Sequence, residues 1–276
     1  MSETNKYKRF RDLHEQDGIF IIPNPWDVGT ACILASMGFK ALATSSAGFA
    51  FSLGLVDGAV SREQTLIHCR DMAAATELPV SADLEMGFGD TPESAAETVL
   101  AAAETGLAGC SIEDYTNRPD QPIYEFQLAV DRIEAAAAAA RSLPHDFILT
   151  ARCENFLRGN PDLFATIERL QAFGEAGADV LYAPALPDLE TIRTVCTSVG
   201  RPVNALMGIP GASYSVEELA EAGVRRISVG SGPSRVALGA FMKATREMSD
   251  QGTFNLMSEG VGTAEVVGIF SKYGPA

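Results

Sequence analysis

Asp83 and Glu85 stand two residues apart at the end of the apolar run Leu78-Pro79-Val80-Ser81-Ala82, just ahead of Met86-Gly87-Phe88-Gly89. Side chains alternate along a strand, so the two carboxylates share one face while Leu84 takes the other. Paired carboxylates before a glycine-rich turn suit a hard cation such as Mg²⁺, which takes one or two carboxylates and keeps its other positions for water and substrate oxygens. The same charges would also favour the start of a following helix. The pair alone leaves both readings open.

The elements that must position such a pair recur along the chain. Short apolar runs at 19–22, 41–44, 79–83, 108–113, 147–152, 180–183, 202–206 and 226–229 each close on polar residues. Helical patterns lie between them at 61–77, 92–104, 126–141, 162–176, 189–199, 216–222 and 234–248. Alternating strands and helices give a parallel sheet, and eight such units close into an α/β (β/α)₈ TIM barrel. The strands read as near-continuous apolar runs because helices cover the outer face. The length of 276 residues suits one such domain over 1–276, since a barrel of this kind takes roughly 250. Gly106, Gly177 and Gly223 each precede a strand, as glycines ending a helix do. After the eighth unit, 250–276 reads as a helical tail with an amphipathic stretch at 264–273, which caps its own barrel or packs on a neighbouring subunit.

Composition excludes several classes. The net charge of −15, from 21 basic and 36 acidic residues, gives nucleic acid no basic footprint. The first eight residues hold no apolar signal core, and no stretch is long and apolar enough to cross a membrane. Five scattered cysteines without a Cys-x-x-Cys pair suit a reduced, cytoplasmic chain.

Chemistry in such barrels sits at the carboxyl ends of the strands. His14, His68 and His145 fall elsewhere, as do all five lysines, so neither a histidine zinc centre nor a Schiff base is expected. What remains at the strand ends is Thr44-Ser45-Ser46, Asp83 and Glu85, Glu113-Asp114, Arg152 and, within the seventh strand, Asn204. Carboxylates with one arginine suit a metal-bound oxyacid: the cation polarises a carbonyl and Arg152 grips a carboxylate through its fork. Arg152 could instead pair with Glu113 or Glu154, and Asn204 could be a ligand contact or a buried structural hydrogen bond. Asp27 reads as a first-strand site residue or as the N-cap of the next helix. Cys153 falls opposite Arg152 and reads as a packed thiol. Ser228-Val229-Gly230-Ser231-Gly232-Pro233-Ser234 could cradle a phosphate after the eighth strand.

With these blocks in place, the chain resembles the isocitrate lyase/phosphoenolpyruvate mutase superfamily from about Asn24 to about Met242. The carriers are Gly38-Phe39-Lys40 with Thr44-Ser45-Ser46-Ala47-Gly48, Leu53-Gly54-Leu55-Val56-Asp57, Ala82-Asp83-Leu84-Glu85-Met86-Gly87-Phe88-Gly89, Ser111-Ile112-Glu113-Asp114 and Ala151-Arg152-Cys153-Glu154-Asn155-Phe156. The resemblance implies a (β/α)₈ barrel with its eighth helix exchanged between subunits of a homo-oligomer, a dimer or tetramer. It implies Mg²⁺ held directly by Asp83 and through water by Glu85 and Glu113, with Asp57 beside the metal. It also implies an oxyanion held by the backbone amides of Ser45 and Ser46, and a substrate carboxylate on Arg152. Substrates of the family are small 2-oxo acids, or 2-hydroxy acids cleaved to them, through an enolate. Donors and a dication that meet the developing charge account for such catalysis.

One departure bears on the reaction. The family's lyases carry a cysteine acid in a segment soon after the fourth strand, and here that segment is Asp114-Tyr115-Thr116-Asn117-Arg118-Pro119-Asp120-Gln121-Pro122. Tyr115 is its best proton donor, since a phenol stays protonated at neutral pH, or it simply packs over the barrel mouth. The expectation is a Mg²⁺-dependent lyase that cleaves or decarboxylates a small 2-oxo or 2-hydroxy acid. Phosphonopyruvate-type P–C chemistry and a non-catalytic 2-oxo-acid binding protein are the alternatives.

Overall fold

The computed structural model describes residues 3–209 and 213–274. Eight parallel strands form its centre: β1 (Phe20–Ile22), β2 (Leu42–Ala43), β3 (Val80–Asp83), β4 (Gly109–Glu113), β5 (Ile148–Arg152), β6 (Val180–Tyr182), β7 (Val203–Leu206) and β8 (Arg226–Ser228). They pair in the order β1-β8-β7-β6-β5-β4-β3-β2. Beyond the strand ends, Ala43 N–H donates to the Pro23 carbonyl (3.0 Å) and the Asn24 amide donates to that of Thr44 (3.0 Å), drawing β1 toward β2. The result is a nearly closed (β/α)₈ barrel. The strands are one or two residues shorter than the apolar runs, because the flanking residues turn away into loops.

Helices α4 (Arg62–Ala75), α5 (Pro92–Ala103), α6 (Phe126–Arg141), α7 (Leu163–Glu175), α8 (Leu189–Ser198) and α9 (Val216–Glu221) cover the strands. Outward residues such as Cys110, Ile112, Leu149, Ala151, Leu181 and Ile227 form the main core beneath them. Two short helices, α2 (Val28–Ser36) and α3 (Ser46–Ser52), fill the first units. Asp27 caps α2, accepting from Thr30 N–H at 2.7 Å within a full capping box, which settles it as an N-cap. Cys153 is fully buried in the outer core, as alternation from Arg152 requires.

The N-terminal segment is helix α1 (Glu3–Glu15), which plugs the amino-terminal end of the barrel. Its Tyr7 and Phe10 pack with Ile22, Ala41, Ala108, Ile148 and Val180. Gly109 makes the fit possible: a Cβ there would lie 2.4 Å from the Ile148 carbonyl and 3.0 Å from the Phe10 ring. After β8 comes α10 (Gly232–Gln251), then a 3₁₀ turn (Asn255–Glu259) and α11 (Thr263–Tyr273). α11 rests on α2 of its own chain, with the Phe270 ring beside Gly29. α10 leaves Val236, Phe241 and Met242 open to solvent. Among the described residues no helix is long and apolar enough to cross a membrane.

Candidate active site

Inward positions near the carboxyl ends of β3 to β8 carry an unusually polar set. Ser81 and Asp83, Ser111, Arg152, Tyr182, Asn204, and Arg226 and Ser228 line one shaft of about 60 Å³ with Asn24, Thr44 and Ser45. The register sets Arg152 beside Tyr182, Tyr182 beside Asn204 and Asn204 beside Arg226.

Arg152 is the hub. Its Nη1 lies 3.2 Å from Asp83 Oδ1 and its Nη2 3.1 Å from Glu113 Oε2, while Nε and Nη2 both donate to Glu154 Oε1 at 3.1 and 2.8 Å. Burial works against its charge, but Glu113, Glu154 and Asp83 together hold its pKa well above the usual value. Both readings of the sequence therefore meet in one residue: Arg152 faces the shaft and is fully ion-paired. Its guanidinium also sits over the Tyr182 ring, 5.0 Å from the centroid.

Asp83 is saturated. Its Oδ2 accepts from the Ser46 amide (3.2 Å) and hydroxyl (2.9 Å), and its Oδ1 from Glu85 N–H (3.3 Å) as well as Arg152. The Ser46 amide thus faces Asp83, whereas Ser45 caps α3 and accepts from Gly48 N–H. β3 ends at Asp83, so strand alternation does not carry Glu85 to the site. Glu85 sits in a tight turn with φ of 51°, and that turn returns its carboxyl toward Asp83. Burial, then the charges of Asp83 and Asp57, push Glu85 up to about 8. Asp57 keeps solvent access at the rim and is raised by partial burial and by Asp83. Glu113 is held well above the usual carboxylate range by burial, Arg152 opposing, and buried Asp114 rises to about 7.

Six carboxylates (Asp57, Asp83, Glu85, Glu113, Asp114, Glu154) thus crowd around three guanidiniums, those of Arg152, Arg158 and Arg169. That surplus of negative charge is what a dication relieves. Among the described residues no three side chains converge as a ready cage, because Arg152 lies between Asp83 and Glu113. A cation that keeps most of its waters needs no cage. The donor set fits Mg²⁺ on one carboxylate, with others reached through water.

Tyr115 lies outside the shaft lining. Its ring faces the guanidinium of Arg158 at 3.5 Å, and its backbone bridges to Ile123. The 114–122 loop is tied to both neighbouring loops, by Arg118 to Asp90 (2.8 Å) and by the Asn117 amide to the Gly58 carbonyl. Asn204 is buried, with its amide donating to Ser228 Oγ (2.9 Å) and its carbonyl accepting from Arg226 Nε (2.8 Å). The glycine-rich segment after β8 is no open phosphate cradle: the N–H groups of Val229 and Gly230 both donate to Asn24 Oδ1, at 2.8 and 2.9 Å. Arg158, Tyr182 and Arg226 escaped the sequence reading. Two carried a signal: Tyr182 is the polar residue within the sixth apolar run, and Arg226 opens the eighth.

Residues 10–249 match the family model for phosphoenolpyruvate phosphomutase. The chain is 33% identical over 232 residues to 2-methylisocitrate lyase of Shewanella oneidensis, covering 80% of this chain and 78% of that enzyme. Among solved structures it is similar to a Burkholderia cenocepacia protein of unconfirmed lyase/mutase activity, with 52% identity, a TM-score of 0.95 and coverage of 98% and 96%. It is similar also to 2,3-dimethylmalate lyase, with 25% identity, a TM-score of 0.85 and coverage of 98% and 95%.

Proposed function

The chain belongs to the phosphoenolpyruvate phosphomutase family and is a carbon–carbon lyase of the wider PEP mutase/isocitrate lyase superfamily; from that premise we propose that it cleaves a small 2-oxo or 2-hydroxy acid in a Mg²⁺-dependent reaction through an enolate. The observation that carries the reading is the surplus of carboxylates around Arg152 at the strand ends, with Glu85 pushed up to about 8 by burial and its acidic neighbours. Asp83 would hold the metal directly, Glu85 and Glu113 its waters, and Asp57 would stand beside it. Bound there, the dication polarises the carbonyl next to the breaking bond.

The chain's own groups do the rest. The Ser46 amide, which now donates to Asp83, would join that of Ser45 in meeting the oxyanion. Arg152, which faces the shaft, would take a substrate carboxylate through its fork. Asn204 lines the shaft below, and Tyr115 supplies a proton once the 114–122 loop closes down. The named relatives act on branched 2-hydroxy acids, and a tricarboxylate lyase needs an acid that this loop lacks as a cysteine. We therefore place the substrate among smaller acids. We also place the protein in the cytoplasm as a homo-oligomer, consistent with five free cysteines and the bare apolar face of α10.

The test is a panel of 2-oxo, 2-hydroxy and phosphono acids with Mg²⁺, read as release of pyruvate, glyoxylate, CO₂ or phosphate. C–C cleavage of a small acid, lost with chelator and sharply reduced in Tyr115→Phe, is expected. Turnover confined to the phosphono acids would overturn the C–C reading, and tight binding without turnover would make the protein a sensor. Robust glyoxylate release from isocitrate would overturn the loop argument.

A further inference from the structure

Arg226 lies buried inside the barrel, in a layer where such barrels ordinarily stack Val, Ile and Leu. Its Nε donates to Asn204 Oδ1 (2.8 Å), its Nη2 donates to Thr150 Oγ1 (2.9 Å), and its Nη1 lies 3.3 Å from His14 Nε2. The other nitrogen of His14 is 2.7 Å from the Phe10 carbonyl, so the proton sits on Nδ1 and Nε2 accepts from the arginine. Burial, then Arg226 itself, pushes the His14 pKa down to about 3, so that ring is neutral too. Every partner of the guanidinium is therefore uncharged. Among the described residues no carboxylate comes within ion-pair distance of it. Burial lowers its pKa only to about 10, which leaves it charged at neutral pH.

A buried charge without an opposite one is costly and is rarely retained unless something completes it. Arg226 lines the same shaft as Ser45, Asp83, Arg152 and Asn204. Arg152 cannot by itself make that shaft attractive to an anion, since three carboxylates already surround it. Among the described residues lining the shaft, Arg226 is the cation left without a counter-charge.

We infer that the carboxylate of the bound acid is the missing counter-charge of Arg226, which makes Arg226 a specificity-determining residue that draws anionic ligands down the shaft and fixes the Asn204 amide for them. It acts through its field and through Asn204, whose carbonyl it orients while the amide donates to Ser228. This rests on the small-acid reading of the site and adds the group that makes the shaft itself favour an anion.

Thr150→Asp tests it from below, outside the proposed site. Aspartate is close to threonine in volume and would place a carboxylate where Thr150 Oγ1 now accepts from Arg226. The probe is oxalate, titrated by calorimetry with and without Mg²⁺ into the full chain and into Thr150→Asp, Thr150→Val, Arg226→Lys and Arg226→Gln. The expected result is at least a tenfold loss of oxalate affinity in Thr150→Asp and Arg226→Gln. Thr150→Val and Arg226→Lys should stay within threefold of the parent. Unliganded Thr150→Asp should melt no lower than the parent, a combination of kept stability and lost affinity that mere structural damage would not produce. If that variant does not fold, the Arg226→Gln and Arg226→Lys pair decides. Equal oxalate affinity across the charge-changing variants, or no oxalate binding by the parent in either buffer, overturns the inference. Parent turnover of small acids alongside unchanged variant affinities sinks this inference alone. The expected affinity pattern in a protein that turns over no acid sinks the enzymatic reading alone.

Discussion

Arg132 acts on the site from outside the shaft. From α6 it reaches the turn after β3, where Nη1 donates to the carbonyls of Gly89 (2.6 Å) and Thr91 (3.2 Å) and Nη2 donates to that of Met86. Its guanidinium lies 4.4 Å from the centroid of Tyr124, whose hydroxyl donates to Asp90 in the same turn (2.6 Å). The turn needs the hold: Glu85 and Phe88 both have positive φ, 51° and 57°, conformations that cost ~1–3 kcal/mol each outside glycine. Arg132→Met keeps the apolar stem and removes the fork. Three hydrogen bonds to a charged group at ~1.5–3 kcal/mol each set an upper bound of ~4.5–9 kcal/mol. One side chain makes all three and water can reach the rim, so a loss of ~3–5 kcal/mol is expected, the scale seen on breaking buried charged contacts. For a domain of this size that lowers the melting temperature by ~6–20 °C. Urea unfolding measures the first quantity, and Mg²⁺ titration should show weakened binding as Glu85 loses its fixed turn. A loss below ~1 kcal/mol, under the range for even one such bond, would refute the idea that Arg132 holds the turn.

Three further outcomes follow from other parts of the chain. Asp83→Ala should abolish Mg²⁺ binding by calorimetry while circular dichroism stays native, since the apolar face of β3 is untouched; unchanged affinity would move the metal elsewhere. Glu247 accepts from Thr253 Oγ1, from Asn255 N and Nδ2, and from Leu256 N, which lower its pKa to about 2. A depressed carboxylate stabilises the fold above its unfolded value near ~4.5 and loses that contribution as pH falls toward 2. Hydrogen-exchange protection of Asn255 and Leu256 should accordingly fall across that window in the parent, and Glu247→Gln should be weakly protected throughout. Truncation after Gly252 removes α11 and uncovers α2, so sedimentation should show smaller or aggregated species; an unchanged, monodisperse assembly would exclude a role for the tail in association.

Period two and period 3.6 made most of the barrel legible, because eight apolar runs each had to be covered by a helix on one side. The placement of Asp83, Glu113 and Arg152 followed from their positions as the last residues of three strands. Glu85 was reached by the wrong route: it returns to the site through a left-handed turn held by Arg132, and no alternation rule contains that turn. α1 was unreadable as a plug, since its apolar face amounts to Tyr7, Phe10 and Leu13 in a charged segment and acquires meaning only against the barrel floor. The loop after β8 misled for a related reason. Its free-looking amides are satisfied by Asn24, some two hundred residues earlier.

The charge balance of the shaft was hidden for the same reason, and it alters what Arg152 can be asked to do. Sequence shows an arginine near carboxylates but not how many share it; the answer, three, comes from β3, β4 and Glu154, two residues beyond β5, closing on one guanidinium. An arginine so surrounded repels a second anion until some other positive charge intervenes. The structure supplies one such charge in Arg226, which lines the same shaft, and the proposed dication on the surplus carboxylates would supply another. Asp83 and Arg226 both line that shaft. An acid anion held between a cation at Asp83 and Arg226 would meet positive charge on both sides, an arrangement that would favour charge developing at one end of the ligand in the transition state over uniform binding of the whole ligand. On that reasoning the proposed substrate is a short acid, and lengthening it by even one carbon should reduce turnover more than binding.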